Sequence, residues 1–387
     1  MTKSIVEIDT DILSSIDEQE RTAMPVFVGS RLGGVDDIVV KGKSFAEIAK
    51  NVLDQRGDWE EILKDTVRSF FANGGELCYV LLHADLKFTR EISHVVALVE
   101  RCVPDGTLLS MPEVPGYEQR WEEILKAAAN TNRLFCLIDM PNHPGDEYQA
   151  ASAFHRALPD EVKSVGAAYW PHLQEQVIER NTIRKVEVAP SGAVAAAIQR
   201  TDATAGVWGV PAGVKLPSVL GLAITPEKKK EPDFEVNTIR IFPGRGALLW
   251  GARTLATDPK NPGAYVQTKR TMQFIQHGLQ AQLREMVFEV NDALLWRTCE
   301  ARVTVWLTEL WRTGGLAGAT AKDAFQVHVG EGVTMTLEDI AQGKLIIHVT
   351  YSLHPVLSDV QLTLTMLQGE SRVSVSQIGS AQQGGKA

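Results

Sequence analysis

The sequence lacks the long apolar run that a membrane-spanning helix requires. None of its 387 residues belongs to an uncharged apolar stretch that approaches the ~18 residues such a helix needs. Residues 1–9 also lack the apolar segment of a secretory signal. We therefore expect a protein that is made and folded in the cytoplasm and does not insert directly into a membrane.

Cysteine and basic residues are scarce as well. The chain has 39 basic against 48 acidic residues and a net charge of −9, which argues against nucleic acid as the main partner. The dense basic run at 228–230 is followed at once by Glu231, and we interpret it as a solvated loop. The four cysteines are far apart, and three lie in apolar runs, so buried thiols are expected rather than disulfides or metal ligands: Cys78, Cys102, Cys136 and Cys299.

Catalytic motifs are missing too, although one carboxylate lies where enzymes often place one. Asp139 closes an apolar strand, a position that carries catalytic or metal-binding groups in many α/β enzymes. Its spacing to the polar residues behind it matches no ligand motif, and Pro141 with Pro144-Gly145 favours a turn; those residues are Asn142, His143, Asp146 and Glu147. An α/β enzyme with a carboxylate site near Asp139 stays open as an alternative, and a small-molecule-binding module as a third.

Strand and helix patterns alternate in the first half of the chain. Ser44 and Glu47 form the capping box of one predicted helix, and Asn73-Gly74-Gly75 ends another. The small residues 192–198 predict a helix packed closely against a neighbour. This alternation predicts a mixed α/β fold with a partly parallel sheet, with buried strands at 23–29, 77–83 and 134–141 and helices at 44–53 and 59–71.

The second half is more helical. Apolar residues at helical spacing predict one long helix over 269–287, and Asn291 is the expected N-cap of a second that ends at Gly314-Gly315. Two strands follow at 345–351 and 360–367, the latter with alternating apolar residues. The polar residues 368–387 are expected to form a flexible tail.

The most distinctive segment is 241–255, with the sequence IFPGRGALLWGARTL. It predicts a tight turn at Gly244-Arg245-Gly246 that leads into a buried strand ending at Gly251. A phosphate-binding loop is the alternative, but neither a G-x-x-x-x-G-K-[ST] motif nor a dinucleotide-binding context surrounds the glycines.

This segment resembles the signature of contractile tail sheath proteins, through Gly244, Arg245, Gly246, Trp250, Gly251 and Arg253. Other blocks of the chain resemble the same family in the same order, across roughly residues 23–367: 27–29, 71–75, 167–171, 190–195, 200–203, 206–208, 211–212, 288–296 and 316–320. The chain lacks the Pro-Gly-Val-Tyr type of opening strand that many relatives have. Its compact size is closer to the sheaths of extracellular injection particles than to those of long phages.

The resemblance implies a structural, non-enzymatic subunit without a cofactor. It forms stacked hexameric rings around an inner tube, and contraction of the sheath drives the tube and spike through a target envelope. Implied partners are further copies of the chain, the tube protein, baseplate and terminator proteins, and paralogous sheath subunits. Assembly is expected in the bacterial cytoplasm, as part of a phage tail or of a released extracellular particle. The implied domains are an N-terminal arm (1–22), an outer α/β domain (23–165), an inner assembly domain (166–367) and the tail.

The resemblance also implies that terminal arms link neighbouring subunits by completing a sheet. The first arm is a short apolar segment that cannot form a core by itself and must join a sheet, its own or a neighbour's: Ile5, Val6, Ile8, Ile12 and Leu13. The C-terminal arm strand carries Val360, Leu362 and Leu364, and the expected receiving strand carries Leu345, Ile347 and Val349. A short capped helix over 336–343 presents Glu338 and Asp339 as candidate contacts to the tube.

Overall fold

A computed structural model describes most of the chain: residues 6–7, 22–32, 37–55, 57–83, 93–103, 107–114, 116, 119–141, 146–179, 182–225, 236–353, 359–367 and 370–377. Of the predicted N-terminal arm residues, Ile5, Ile8, Ile12 and Leu13 lie outside the described part, as does the end of the predicted tail. The chain divides into two compact units, 1–258 with 263–270, and 259–262 with 271–387.

The first unit is built on a mixed sheet whose middle is parallel. Its order is β1-β3-β4-β2-β5-β6-β7-β12-β13-β10, and all the pairs from β4 to β12 are parallel. A smaller antiparallel sheet has the order β11-β8-β9. The strands are β1 (Val6–Glu7), β2 (Met24–Ser30), β3 (Ile38–Gly42), β4 (Cys78–His83), β5 (Thr107–Ser110), β6 (Leu134–Asp139), β7 (Gly166–Trp170), β8 (Leu173–Glu179), β9 (Thr182–Val188), β10 (Val214–Lys215), β11 (Gly221–Leu222), β12 (Val236–Phe242) and β13 (Gly246–Trp250).

Helices cover both faces of the large sheet, because its central strands are apolar on both sides. One core packs α1, α2 and α7 on one face, and the other packs α3 to α6 on the opposite face. These are α1 (Phe45–Asp54), α2 (Glu61–Ala72), α3 (Ser93–Cys102), α4 (Arg120–Thr131), α5 (Asp146–Ala157), α6 (Asp160–Lys163) and α7 (Ser191–Ala205). The predicted mixed α/β class with a partly parallel sheet is confirmed.

Local sequence explains two of these helices. α1 begins after the predicted N-cap Ser44, whose hydroxyl accepts from the Glu47 amide at 3.2 Å. The Glu47 carboxylate accepts from the Lys43 amide at 2.7 Å and not from that of Ser44, so the predicted capping box forms only in part. α7 approaches α2 so closely that a Cβ atom on Gly192 would lie 2.2 Å from the Thr66 carbonyl oxygen. The small residues predicted at this position are therefore required by packing.

The structure does not divide at the predicted boundary between residues 165 and 166. β7 begins at Gly166 and is hydrogen-bonded between β6 and β12, so it lies within the large sheet. Residues 166–258 therefore complete the first unit instead of opening the second. Sequence patterns located the strands but not the sheet that they share.

The second unit combines long helices with a four-stranded antiparallel sheet of order β14-β15-β16-β17. Most of α8 (Val266–Leu283) belongs to it, followed by a 3-10 turn (Arg284–Phe288). Its other elements are α9 (Ala293–Arg312), α10 (Ala321–Ala324), β14 (Phe325–Val329), α11 (Leu337–Ala341), β15 (Leu345–Ser352), β16 (Asp359–Leu367) and β17 (Glu370–Gln377). In the described ranges, no helix has the length and apolar character needed to cross a membrane.

Two predictions fail in this unit. Asp292, not Asn291, is the N-cap of α9, and its carboxylate accepts from the Leu294 and Leu295 amides at 2.9 and 3.0 Å. Asn291 instead accepts from the Trp296 indole and donates to the Lys344 carbonyl, both at 2.7 Å. The predicted flexible tail contains β17, which pairs with β16 along its whole length. Its polar composition did not indicate a strand, because this strand depends on hydrogen bonds to β16.

Candidate functional site

The signature segment forms the hairpin that joins β12 to β13. Gly244 and Gly246 have φ values of 75° and 79°, a region that favours glycine, and the Arg245 amide donates to the Phe242 carbonyl at 3.0 Å. The buried strand β13 follows and leads to Gly251, as predicted. The glycines therefore make a turn rather than a phosphate cradle.

The residues after the hairpin are held by one buried amide, Asn237 of β12. It donates to the carbonyls of Ala168 at 3.2 Å and Arg253 at 2.7 Å, and accepts from the Arg253 amide at 2.7 Å. A Cβ atom on Gly251 would lie 2.8 Å from the side-chain oxygen Oδ1 of Asn237, and φ at Gly251 is 146°. The Arg253 guanidinium lies 5.0 Å from the centre of the Tyr265 ring. Most of the signature residues therefore have a structural role: they form the hairpin turn and fix the segment that follows it.

Trp250 and Arg245 are signature residues whose side chains are exposed and not buried in the core. Trp250 is the apolar one. It is 45% exposed, and its ring centre lies 4.8 Å from that of Phe242. Ile241, on the neighbouring strand, is 47% exposed. The hairpin therefore presents apolar side chains at the surface of the first unit.

Asp139 closes β6 as expected and caps α7. Its carboxylate accepts from the Ser191 amide at 2.8 Å and from the Ser191 hydroxyl at 2.6 Å, and the Ser110 hydroxyl donates to that of Ser191 at 2.8 Å. Burial raises the pKa of Asp139 to about 7, against the hydrogen bonds from Ser191, which lower it. All three side chains are buried, so the group has the geometry of a helix cap inside a core.

The rest of the carboxylate alternative is not assembled by the described residues. Asn142, His143 and the side chains of Asp146 and Glu147 lie outside the described part, and within that part no three His, Cys, Asp or Glu side chains are grouped so as to hold a metal ion. The four cysteines are free thiols, with Cys102 half-buried and the other three buried.

The structure brings together the predicted C-terminal arm strand and the predicted receiving strand. β16 pairs with β15 in the same chain, with Val360 opposite Tyr351, Leu362 opposite Val349 and Leu364 opposite Ile347. These side chains and that of Leu345 are buried. In the single chain β16 is therefore an integral strand of the sheet, and β14 and β17 form its edges.

Val6, the described apolar residue of the N-terminal arm, lies beside the first unit's own sheet. Val6 and Glu7 form the two-residue strand β1, which is parallel to β3 with Val6 opposite Ile38. This short pairing corresponds to the expectation that the arm joins its own subunit, which the sequence left open.

The two candidate tube contacts differ in their surroundings. Asp339 belongs to the capping box of α11: its carboxylate accepts from the Thr336 amide at 3.1 Å and hydroxyl at 2.7 Å, and from Lys344 at 3.1 Å. These contacts with Thr336 and Lys344 lower the pKa of Asp339 to about 2. Glu338 is exposed and accepts from the Gln342 amide at 3.2 Å, which leaves it the better placed of the two to meet a partner.

Sequence reasoning missed a buried ion pair at the root of the N-terminal arm. The Arg270 guanidinium donates to both Asp202 carboxylate oxygens at 2.8 and 2.6 Å and to the Thr22 carbonyl at 2.9 Å, and the Thr22 hydroxyl donates to Asp202 at 2.5 Å. The Arg270 and Asp202 side chains are 3% and 6% exposed. Asp202 lies in one of the blocks that carry the family resemblance, but nothing in the sequence pairs it with Arg270.

A second missed cluster surrounds Glu175 of β8. Its carboxylate accepts from the Ser69 hydroxyl at 2.8 Å, the Asn73 amide at 3.1 Å and the Ser218 hydroxyl at 2.7 Å. Asn73 ends α2 as predicted, and it also ties that helix end to β8. Asn73 and Asp202, which lie in blocks that resemble the family, therefore each connect separate elements of this fold.

Comparison with known proteins supports the resemblance to contractile tail sheath proteins. No family profile matches the chain, and no curated protein matches it. Solved structures do. The sheath complex of an extracellular contractile injection system in its contracted state, named PVC, has 24% identity and a TM-score of 0.70 over 91% of this chain and 95% of that one.

Two structures of the anti-feeding prophage are similar over the same range. Its contracted helical sheath has 25% identity and a TM-score of 0.67 over 90% of this chain and 94% of that one. A chain in its six-fold symmetrised baseplate has 23% identity and a TM-score of 0.67 over 91% and 95%. These matches confirm the resemblance seen in the sequence: the chain is a sheath protein of the contractile injection systems, a structural subunit and not an enzyme.

Proposed function

We propose that the chain polymerises as stacked hexameric rings around an inner tube, and that contraction of this sheath drives the tube and its spike through a target envelope. The observation that carries the proposal is the likeness, over 90% of the chain, to a helical sheath in its contracted state. The particle is assembled in the bacterial cytoplasm and acts as a phage tail or, as the extracellular system among the matches favours, as a released injection particle.

The partners that this function requires are the tube protein, baseplate and terminator proteins, and paralogous sheath subunits. The similar chain in a baseplate structure supports contact with a baseplate. The formal charge of −9 gives no support to a nucleic-acid partner. In this proposal the first unit, which contains residues 23–165, belongs to the outer part of the sheath, and the four-stranded sheet of the second unit belongs to the assembly-forming part.

Adjoining subunits are linked through the edges of that sheet. β14 is an edge strand, so its outward backbone groups can pair with a strand from a neighbour. A short added strand contributes several hydrogen bonds, each worth a net ~0.5–1.5 kcal/mol. We assign the N-terminal arm, residues 5–12, as the donated strand, which requires Val6 and Glu7 to leave β3 on assembly.

Cysteine cross-linking distinguishes this linkage from pairing within one chain. In a Cys102→Ser background, Val6→Cys with Gln326→Cys on β14 should give covalent ladders on a non-reducing gel of assembled particles. The control pair, Val6→Cys with Ile38→Cys, joins residues that face each other inside one chain and should leave a monomer band. Ladders absent from the first pair, with a bond formed in the second, would assign the arm to its own subunit.

Deleting residues 2–13 tests the same proposal in assembly. In the described part of the chain, the deletion removes a two-residue pairing from the first unit, so the subunit should stay folded and soluble, with circular dichroism and thermal melting close to wild type. Electron microscopy should then show bare tubes or no particles. Intact contractile sheaths built from the truncated chain would refute the linking role, and misfolding would place the arm in the subunit's own core.

Contact with the tube is assigned to the exposed acid of α11. Glu338→Lys should block assembly around the tube without unfolding the subunit, since Glu338 is exposed and its side-chain bond is to Gln342. Asp339→Asn is the control for damage to the cap, because Asp339 bonds Thr336 and Lys344. An unchanged particle yield with Glu338→Lys would remove this assignment.

A further inference from the structure

Two histidines face each other across the antiparallel pair β14 and β15. His328 is directly opposite His348 in the register, and residues in such positions have Cβ atoms about 4.5–5.5 Å apart. Alternate residues of both strands, Phe325, Ile347 and Val349 among them, are buried on the other face. The two imidazoles therefore share the outer face, where His328 is exposed and His348 half-buried.

We propose that His328 and His348 bind one divalent transition-metal ion, such as Zn²⁺ or Ni²⁺, with water in the remaining coordination positions. Imidazole nitrogen is a preferred ligand of these ions, with bonds of about 2.0–2.1 Å to zinc. A pair of imidazoles on adjacent strands can converge on one ion at that distance. The site would fasten the edge strand β14 to β15, so it goes beyond the proposed sheath function and does not depend on it.

The surroundings favour the neutral imidazole that a metal requires. Burial, and secondarily the facing His328, lower the pKa of His348. The adjacent register positions on this face are uncharged: Gln326 is opposite Thr350, and Thr363 is opposite His348 on β16. Arg372 is opposite Thr365, two residues further along β16.

The first unit contains a second pair of histidines, which serves as the competing site. The Asp37 carboxylate lies 2.7 Å from His83 Nδ1 and 3.5 Å from His94 Nε2. This carboxylate already bonds the imidazole nitrogen nearest to it, whereas His328 and His348 are placed side by side without an intervening acid. Loss of the His94 imidazole would remove metal binding from this competing cluster only.

Isothermal titration of the full, untagged chain with ZnCl₂ and with NiCl₂ at pH 7.5 tests the proposal. Wild type should bind one ion per chain at this site, and His328→Ala and His348→Ala should each weaken binding by at least about tenfold. His94→Ala and Thr363→Ala are matched controls and should leave binding unchanged. Binding should also weaken as the pH is lowered to 5.5, because protons compete for the imidazoles.

Circular dichroism of the metal-free variants establishes that they are folded. His328 is exposed, so His328→Ala retains the fold and is decisive even if His348→Ala does not. The proposal is overturned if wild type binds neither ion, if His328→Ala binds with wild-type affinity, or if binding is lost in His94→Ala alone.

Discussion

The buried pair of Arg270 and Asp202 provides the sharpest test of how the first unit is held together. Arg270→Met removes the guanidinium and leaves the Asp202 carboxylate, 6% exposed, with the Thr22 hydroxyl as its remaining described partner. The Thr22 carbonyl loses its bond from Arg270 as well. Breaking one side of a buried ion pair costs about 3–5 kcal/mol, because an uncompensated charge stays in the core.

That cost should appear as a lower thermal midpoint. For domains of this size each kcal/mol corresponds to about 2–4 °C, so Arg270→Met should melt roughly 6–20 °C below wild type. The double variant Arg270→Met/Asp202→Leu replaces the pair with apolar side chains and should recover most of the loss, since such replacements are often neutral. Circular dichroism melts and urea unfolding of all the variants measure both effects.

The control is an ion pair whose arginine is exposed and whose acids each keep another basic partner, Arg68 for Asp65 and Lys64 for Glu61. Arg184 is 46% exposed and lies 3.5 Å from Asp65 and 3.7 Å from Glu61, so Arg184→Met should cost no more than about 1 kcal/mol. If Arg270→Met cost as little as Arg184→Met, or if the double variant were as unstable as the sum of its single changes, the assignment of a buried, paired charge would be wrong.

Two further predictions concern the signature segment and the cap of α7. Gly251→Ala should destabilise the protein by about 2–4 kcal/mol in urea unfolding, because Gly251 has a positive φ and its Cβ atom would contact Asn237. Gly244→Ala is the control: its Cβ atom would meet nothing within 4 Å, so it should cost about 1–2 kcal/mol. Equal losses of stability in the two variants would contradict this explanation. Burial raises the pKa of Asp139 from 3.8 to about 7, so its contribution to stability is complete below about pH 4 and is lost as the pH rises through about 7. Relative to Asp139→Asn, wild type should therefore lose thermal stability between about pH 4 and 7; the same dependence of the melting temperature on pH in both proteins would refute the shift.

The sequence by itself determined the features that depend on residues close together in the chain. The apolar runs specify strands buried on both faces, such as Leu134–Asp139, and the N-cap Ser44 specifies a helix start. The positive φ values at Gly244 and Gly246 are required by a turn that the local sequence predicts. The family resemblance, carried by many short blocks in order, also indicated the structural role.

Tertiary structure decided everything that depends on distant partners. Asp202 acquires its role from Arg270, 68 residues away, and Asn237 from Arg253 and Ala168. No periodicity encodes those pairings. The unit boundary followed the same rule, since β7 belongs to the first unit through its hydrogen bonds to β6 and β12 rather than through its composition.

Two segments of the second unit show most clearly what local sequence does not predict. The polar segment 370–377 has little apolar content, yet it is a strand because β16 offers it an edge. Asp292 rather than Asn291 caps α9, because the Asn291 amide is engaged by Trp296 and Lys344. Local propensity states which structures a segment can adopt, and the free energy of pairing with a partner elsewhere in the chain selects one of them.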